Sequence, residues 1–247
     1  MISVCMATFN GAKYVAEQVA SILPQLGAGD ELVVSDDGST DGTVEIVQNF
    51  GDPRIRILEN RHRRSAAGNF ENALRNAGGD YIFLSDQDDV WLAGKVEAML
   101  RALEGADLAI HDAIVTDGDL NPQGGSLMER TRFRRGYWHN LVRNGYSGCC
   151  MAFRRSLLEQ ILPFPRRIAM HDVWIGLVAE LGHRRSRRAG GEAGEKVAVV
   201  PSALILLRRH GANVSTATGK STLSIVEKAK YRVYLLSQTL KRAFFTR

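Results

Sequence analysis

Four short apolar runs in the first half of the chain restrict its fold more than any other feature, because each stops at a loop of Gly, Asp or Asn and is followed by a helical stripe. Ile2 to Ala7 reads as a strand, and Tyr14, Val15, Gln18, Val19 and Ile22 then fall at helical spacing until Pro24 ends the helix. Glu31 to Ser35 is a second strand, followed by a Gly- and Asp-rich loop and a short helix carrying Val44, Val47 and Phe50. Ile55 to Leu58 is a third strand; Ala66, Phe70, Ala73, Leu74 and Ala77 make the next helical stripe. Tyr81 to Leu84 is the fourth strand, and Val96, Met99, Leu100 and Leu103 mark the helix after it. Such alternation predicts an α/β fold with a mostly parallel sheet flanked by helices. The loops after successive strands then gather along one edge, where open α/β sheets bind ligands. Asn10, Asp37 and Asp86 are expected to share a crevice there.

The fourth strand stops at Ser85-Asp86-Gln87-Asp88-Asp89-Val90-Trp91. Three carboxylates with no interleaved Lys or Arg suit a hard divalent cation such as Mg²⁺ or Mn²⁺. The competing reading is an acidic turn with Asp88 or Asp89 as N-cap of the next helix. The earlier loop, Asp36 to Gly42, partly copies a calcium-binding EF-hand loop. Gln48, however, stands where that loop needs a bidentate Glu, and its flanks read strand and helix. This loop is either a helix-capping turn or a holder of a nucleotide base, since a carboxylate accepts the N3 hydrogen of uracil or thymine.

The net charge of +5 divides unevenly. Residues 1–123 hold 9 Lys/Arg and 20 Asp/Glu, a net of −11, whereas residues 124–247 hold 23 and 7, a net of +16. Acidic strand ends suit a cation, and an arginine-rich second half suits phosphates or an anionic membrane surface. No nucleic-acid-binding motif accompanies the basic half, so nucleic acid is not expected as a partner. No apolar run reaches the roughly 20 residues that span a bilayer, and the N-terminus enters its first strand without a signal peptide; a cytoplasmic location is expected. Cys5, Cys149 and Cys150 form neither a disulfide framework nor a zinc-site spacing, and read as buried small hydrophobes.

Beyond residue 112 the period weakens. Thr116 to Leu127 reads as a loop, and Arg130, Arg132, Arg134 and Arg135 follow with Phe133, Tyr137 and Trp138 among them. That run is a solvated basic face or a contact for an acceptor or membrane. Gly145 to Phe153 reads as a strand entered through glycines, where a ligand can approach the backbone. Met170-His171-Asp172-Val173-Trp174 opens a helix with Trp174, Val178 and Leu181 on one side; Asp172 is either its N-cap or a functional acid. Arg184 to Glu195 reads as a charged Gly-rich loop. Val197 to Leu207 is strand material leading to Arg208-Arg209-His210-Gly211-Ala212-Asn213, where a histidine beside arginines suits a diphosphate and its metal. Val226, Ala229, Val233, Leu236, Leu240 and Phe244 then give a long amphipathic helix with five basic residues around it. It is expected to dock on the body, with membrane contact as the alternative.

Placed in order, Ala7-Thr8-Phe9-Asn10-Gly11, Asp36-Asp37-Gly38-Ser39-Thr40-Asp41, Gly68-Asn69-Phe70, the Asp86 to Trp91 stretch, His171-Asp172-Val173-Trp174 and Arg209-His210-Gly211-x-Asn213 resemble the inverting glycosyltransferases of family 2. These have the GT-A fold, with a Rossmann-like nucleotide-binding half. The Asp-Gln-Asp-Asp-x-Trp, His-Asp-x-Trp and Arg-His-Gly forms are similar to the bacterial rhamnosyltransferase branch, which builds O-antigen and related surface glycans of the lipopolysaccharide or capsule type from dTDP-rhamnose. The resemblance implies a catalytic domain over residues 1–215, with a nucleotide-sugar-binding half (1–112) and an acceptor-side half (113–215). The basic helix follows in 216–247. It implies nucleotide-sugar contacts from Thr8, Asn10 and Asp37, with Asn69 also on the donor side. Asp86 and Asp88 would meet the ribose and the metal-bound diphosphate, with Asp89 a further ligand, and Arg209 and His210 would close on the diphosphate and metal. Asp172 would be the general base, with Asp112 and Asp117 next in line. The donor implied is dTDP-rhamnose or a UDP-sugar with Mg²⁺ or Mn²⁺, and the acceptor is lipid-linked or an oligosaccharide. The Gln-x-x-Arg-Trp motif and membrane helices of processive members are missing, which implies transfer of one or a few residues. A nucleotidyltransferase would carry a basic Gly-rich loop near the N-terminus, and a non-catalytic glycan- or lipid-binding module would not need Asp86, Asp88 and Asp172 together. Oligomeric state stays open.

Overall fold

In the first half, apolar runs become strands and periodic stripes become helices, as the pattern requires. The computed structural model describes residues 1–61, 63–182, 195–211 and 224–245. β1 (Ile2–Thr8), α1 (Val15–Ile22), β2 (Glu31–Asp36), α2 (Thr43–Gln48), β3 (Ile55–Glu59), α3 (Ala66–Asn76) and β4 (Tyr81–Ser85) alternate; a short β5 (Val90–Trp91) then precedes α4 (Lys95–Leu103). The second half continues with β6 (Ala106–Thr116), β7 (Pro122–Ser126), α5 (Leu127–Thr131), α6 (Tyr137–Val142), β8 (Met151–Arg154), α7 (Arg155–Ile161), α8 (His171–Leu181), β9 (Glu195–Arg208) and α9 (Ile225–Phe245).

One sheet runs through both halves in the order β3-β2-β1-β4-β8-β6-β9-β5, with β7 added against β6. β3, β2, β1 and β4 are parallel; β8 is antiparallel to both β4 and β6, and β9 returns parallel to β6. Val4, Cys5 and Met6, Leu32 to Val34 and Ile82 to Leu84 are all buried. Helices therefore cover both sheet faces, the arrangement that makes parallel strands read as continuous apolar runs. The register sets Thr8 beside Asp36 and Met6 beside Ser85, so the loops after β1, β2 and β4 leave the sheet along a common edge.

The second half departs from its pattern in three places. β6 is a central strand that the sequence reading passes over, because His111 and Asp112 interrupt its apolar run; both are buried, at a register irregularity against β9. The expected residue 116–127 loop contains β7, since the Asp117 carboxylate accepts from the backbone N–H of Asp119 and Asn121 and turns the chain back along β6. The strand expected from Gly145 begins only at Met151, after a 3₁₀ turn over Gly148–Cys150. The charged loop expected from Arg184 lies outside the described residues up to 194, as does Asn213.

α9 docks on the body. The Tyr231 and Tyr234 hydroxyls accept from the backbone N–H of Ala169 (3.0 Å) and Arg167 (3.2 Å). Arg242 donates to the Leu162 and Pro163 carbonyls, both at 2.6 Å, while Leu235 and Thr239 are buried beneath the helix. Among the described residues no helix is long and apolar enough to cross a membrane.

Candidate active site

At the common strand edge lies a cavity of about 480 Å³. Thr8 and Phe9 contribute from the end of β1, Asp37 from β2, and Arg64, Ser65, Asn69 and Phe70 from the entry to α3. Asp86 to Asp89 follow β4, Ser147 and Gly148 precede β8, Met170 to Asp172 open α8, and Leu207 and Arg209 end β9. Of the residues the sequence singles out, the lining holds Thr8, Asp37, Asn69, Asp86, Asp88, Asp89, Asp172 and Arg209. Asn10 and His210 are not in it.

The loop after β2 divides the two roles its sequence offered. Asp36 makes the turn: its carboxylate accepts from Gly38 N–H (2.9 Å), Ser39 N–H (2.7 Å) and the Thr8 hydroxyl (2.9 Å). Asp41 likewise accepts from Thr43 N–H (3.1 Å). Asp37 faces the cavity instead, holding the Asn60 amide at 2.8 Å, and burial raises its pKa above the ordinary carboxylate value. Asn10 has a left-handed backbone (φ 47°), and its side-chain oxygen accepts from Thr40 N–H at 2.9 Å; it shapes the loop. Asn69 donates to the Thr8 carbonyl at 2.9 Å and leaves its Oδ1 buried without a hydrogen-bond partner.

The acids after β4 cap no helix. α4 begins at Lys95 with Gly94 as its N-cap, and β5 lies between, so the N-cap reading of Asp88 and Asp89 fails. Gln87 clips this loop to the end of β1, accepting from Phe9 N–H (2.9 Å) and donating to Phe9 O (3.1 Å). Burial pushes the Asp86 carboxyl up to about 7, with the Asp88 and Asp172 carboxylates adding to the effect and Arg209 opposing it. Asp89 is buried; one oxygen accepts from Arg208 N–H (3.0 Å) and the other, Oδ2, has no hydrogen-bond partner. Burial and its neighbours raise its pKa too. Crowded acids with an orphaned buried oxygen form a donor set that a divalent cation fits. Asp86, Asp89 and the Cys149 thiol have ligand atoms within 4.8 Å of one another; Cys149 is buried, as its sequence suggests, and its hydrogen bond with Cys150 together with burial raises its pKa well above the ordinary thiol value. Asp88 instead pairs with His210, 2.9 Å from Oδ2 to Nε2.

Lys95 escapes sequence reading altogether. It is fully buried, donates to the Cys149 carbonyl at 2.9 Å and lies 3.9 Å from the centre of the Trp91 ring. Burial lowers its pKa to about 8. A cation in that place lies under the acid loop and offsets part of its charge. Arg208 is buried as well, donating to the Asp88 carbonyl (2.8 Å) and pairing with Glu17; it is a clamp, and the adjacent Arg209 is the arginine on the cavity.

Asp172 sits in the first turn of α8, whose N-cap is Met170 with no side-chain cap bond, so the alternative reading of Asp172 as the N-cap is not realised. Its carboxylate accepts the adjoining Val173 N–H (2.6 Å), and burial pushes it up to about 7. α8 is buried nearly all round, from His171 to Ala179, not on one side alone. His171 stacks on Phe70 at 3.9 Å with neither ring nitrogen hydrogen-bonded, and burial lowers its pKa to about 3, so it is neutral. Asp112 and Asp117 are elsewhere: the first accepts from Ala113 and Met128 N–H, the second builds the turn before β7.

A parallel sheet with an aspartate turn, an acid cluster and a helix-borne carboxyl converging on one strand-edge cavity has the architecture of the GT-A fold. The model of the family described as "Glycosyl transferase family 2" matches residues 3–162, and the chain belongs to that family. A UDP-Glc:α-D-GlcNAc-diphosphoundecaprenol β-1,3-glucosyltransferase of Escherichia coli is 37% identical over 103 residues, 42% of this chain and 41% of that protein. A dTDP-rhamnosyl transferase of Shigella flexneri is 35% identical over 105 residues, 40% and 36% of the two chains. The matched part thus spans about two fifths of the length of such relatives. Among solved structures, S. aureus TarS 1-349 in complex with UDP-GlcNAc superposes with a TM-score of 0.64 at 18% identity, over 100% of this chain and 73% of that one. Glucosyl-3-phosphoglycerate synthase from Mycobacterium tuberculosis, in complex with Mn²⁺, UDP and phosphoglyceric acid, gives 0.58 at 21% identity over 100% and 80%. At these identities the likeness establishes the fold.

Proposed function

We propose that this chain is an inverting hexosyltransferase that moves a sugar from a nucleoside diphosphate to a hydroxyl of a lipid-linked or oligosaccharide surface-glycan acceptor, with dTDP-rhamnose as the favoured donor. One observation carries the reading: Asp86, Asp88, Asp89, Asp172 and Arg209 converge on a single cavity at the carboxyl ends of parallel strands. Asp37 would hold the base, with Thr8 and Asn69 forming the wall beside it and Asn10 fixing the loop. Asp86, Asp88 and Asp89 would hold Mg²⁺ or Mn²⁺, with His210 steadying Asp88. When bound, the cation neutralises charge growing on the departing diphosphate. Arg209 adds a fixed positive charge near the same oxygens. Asp172 takes the proton of the acceptor hydroxyl; that oxygen bonds to the anomeric carbon as the carbon–oxygen bond to the diphosphate breaks, and single displacement inverts the centre.

The rhamnose assignment is supported by the Asp-Gln-Asp-Asp-x-Trp and His-Asp-x-Trp forms and by the Shigella flexneri relative. A UDP-sugar donor is the second reading, favoured by the glucosyltransferase relative. Residues 1–215 would be the catalytic unit and 216–247 an appended helix, working at the cytoplasmic face of a membrane. Calorimetric titration of dTDP-rhamnose and of UDP-sugars, each with Mn²⁺ and with EDTA, tests the reading on wild type and Asp88→Asn. One donor should bind in a Mn²⁺-dependent manner and weaken in the variant. Equal affinity with EDTA would remove the metal, and no nucleotide-sugar binding at all would remove the function.

A further inference from the structure

Six of the nine exposed large apolar side chains among the described residues lie on only two helices: Trp138 and Val142 on α6, and Ile225, Val226, Val233 and Leu240 on α9. The two helices are neighbours of opposite direction. Tyr137 and Thr239 hydroxyls meet at 2.6 Å, and the Arg232 guanidinium donates to the Val142 carbonyl. On α9, Val226, Val233 and Leu240 recur every seven residues, so they keep to one stripe that drifts only about 20° per step. Leu235 and Thr239 on the other side are buried against the body. The outward stripe is thus left over after docking is complete.

Charge selects what covers it. Arg143, Lys230 and Lys241 are exposed around these apolar groups, Lys228 and Arg232 are half-buried beside them, and Glu227 is the single acid of α9. A second copy of the same face would set these cations against one another across a two-fold contact. An anionic lipid surface accepts both components, since indole and aliphatic groups enter the acyl–headgroup boundary while Lys and Arg reach the phosphates. We infer that the α6–α9 face is where this protein lies on an anionic membrane. The inner side of α9 holds Arg167 and Ala169 through Tyr234 and Tyr231, just before Asp172. Docking by the outer side would bring the Asp172 wall close to a lipid-linked acceptor, a step that rests on the acceptor class proposed above.

Co-sedimentation with phosphatidylcholine vesicles, with and without phosphatidylglycerol, tests the face on the full chain, comparing wild type with the Val233→Asp/Trp138→Ser double variant. Arg101→Glu on α4 serves as a control for charge alone. Wild type should partition onto the anionic vesicles at low salt and leave them as salt rises; the double variant should partition about tenfold less, and the control within about twofold of wild type. Binding of UDP and of dTDP with Mn²⁺ should be the same in wild type and double variant, which checks the fold separately. A double variant that partitions like wild type, or a wild type indifferent to anionic vesicles, overturns the inference. So does a wild-type dimer in sedimentation velocity that the double variant converts to monomer, which would give the face to a second copy. Normal vesicle binding without any nucleotide binding would sink the transferase reading and leave this face standing.

Discussion

His210 Nε2 lies 2.9 Å from Asp88 Oδ2, tying the end of β9 to an acid loop 122 residues earlier. Beside it, Arg208 gives its N–H to Asp89 and its Nε–H to the Asp88 carbonyl. The acid loop and the strand end that brings Arg209 to the cavity are therefore one mechanical unit.

His210→Ala follows from that pairing. A group that orients a metal-binding carboxylate typically contributes about 10–100-fold in metal affinity, so calorimetry should show Mn²⁺-dependent nucleotide binding weakened by that range. The thermal midpoint should fall by only a few degrees, because the ring's main packing partner is the half-buried Tyr14, 4.7 Å away between ring centres. Unchanged affinity would make the contact incidental.

Gly148→Ala probes the opposite wall. A Cβ there would fall 2.2 Å from His171 Nε2, inside a ring already stacked on Phe70. Overpacking of this kind costs about 1–3 kcal/mol, and the displaced ring adjoins Asp172. Urea denaturation should show that loss, and transfer should fall further than stability explains. A variant as stable and as active as wild type would mean that the wall yields freely.

Asp172 and Asp86 make activity and stability respond to pH in opposite senses. Burial pushes both carboxyls up to about 7 from the ordinary 3.8. Between about 4 and 7 the folded chain keeps protons that the unfolded chain has released, so stability falls as pH rises through that window and levels off above it. A base must be ionised, so the transfer rate should climb up to about tenfold per pH unit below about 7 and then plateau. Melting in EDTA and the pH–rate profile at saturating donor check the two trends. A flat rate between pH 5.5 and 8 would remove Asp172 as the titrating base.

Apart from the two-residue β5, which no periodicity announces, the strands and helices of residues 1–103 are legible because apolar runs and helical stripes alternate between loops rich in Gly, Asp and Asn. β6 is not, since buried His111 and Asp112 look like the polar residues of a loop. The acids of the site are visible in sequence, but their roles separate only in space: Asp36 builds a turn, while Asp37 faces the cavity. Lys95 is hidden because a helical lysine ordinarily reads as solvated; its spacing of four from Trp91 is the one available hint. Cys149 reaches Asp86 and Asp89 through a 3₁₀ turn that no apolar periodicity announces. The capping readings fail for a simple reason, in that β5 separates Asp88 and Asp89 from α4, and Asp172 stands inside α8 instead of before it.

The central claim is that Asp172 removes the acceptor's proton, and Asp172→Asn tests it most directly. An amide oxygen can still accept the Val173 N–H, and losing a buried carboxyl with a raised pKa should leave the melting temperature at pH 8 equal to or above that of wild type. Calorimetry should give unchanged binding of donor nucleotide with Mn²⁺. Sugar transfer should drop by about 10²- to 10⁴-fold, the usual worth of a positioned base. A variant that keeps most of its transfer rate while binding donor normally would contradict the account.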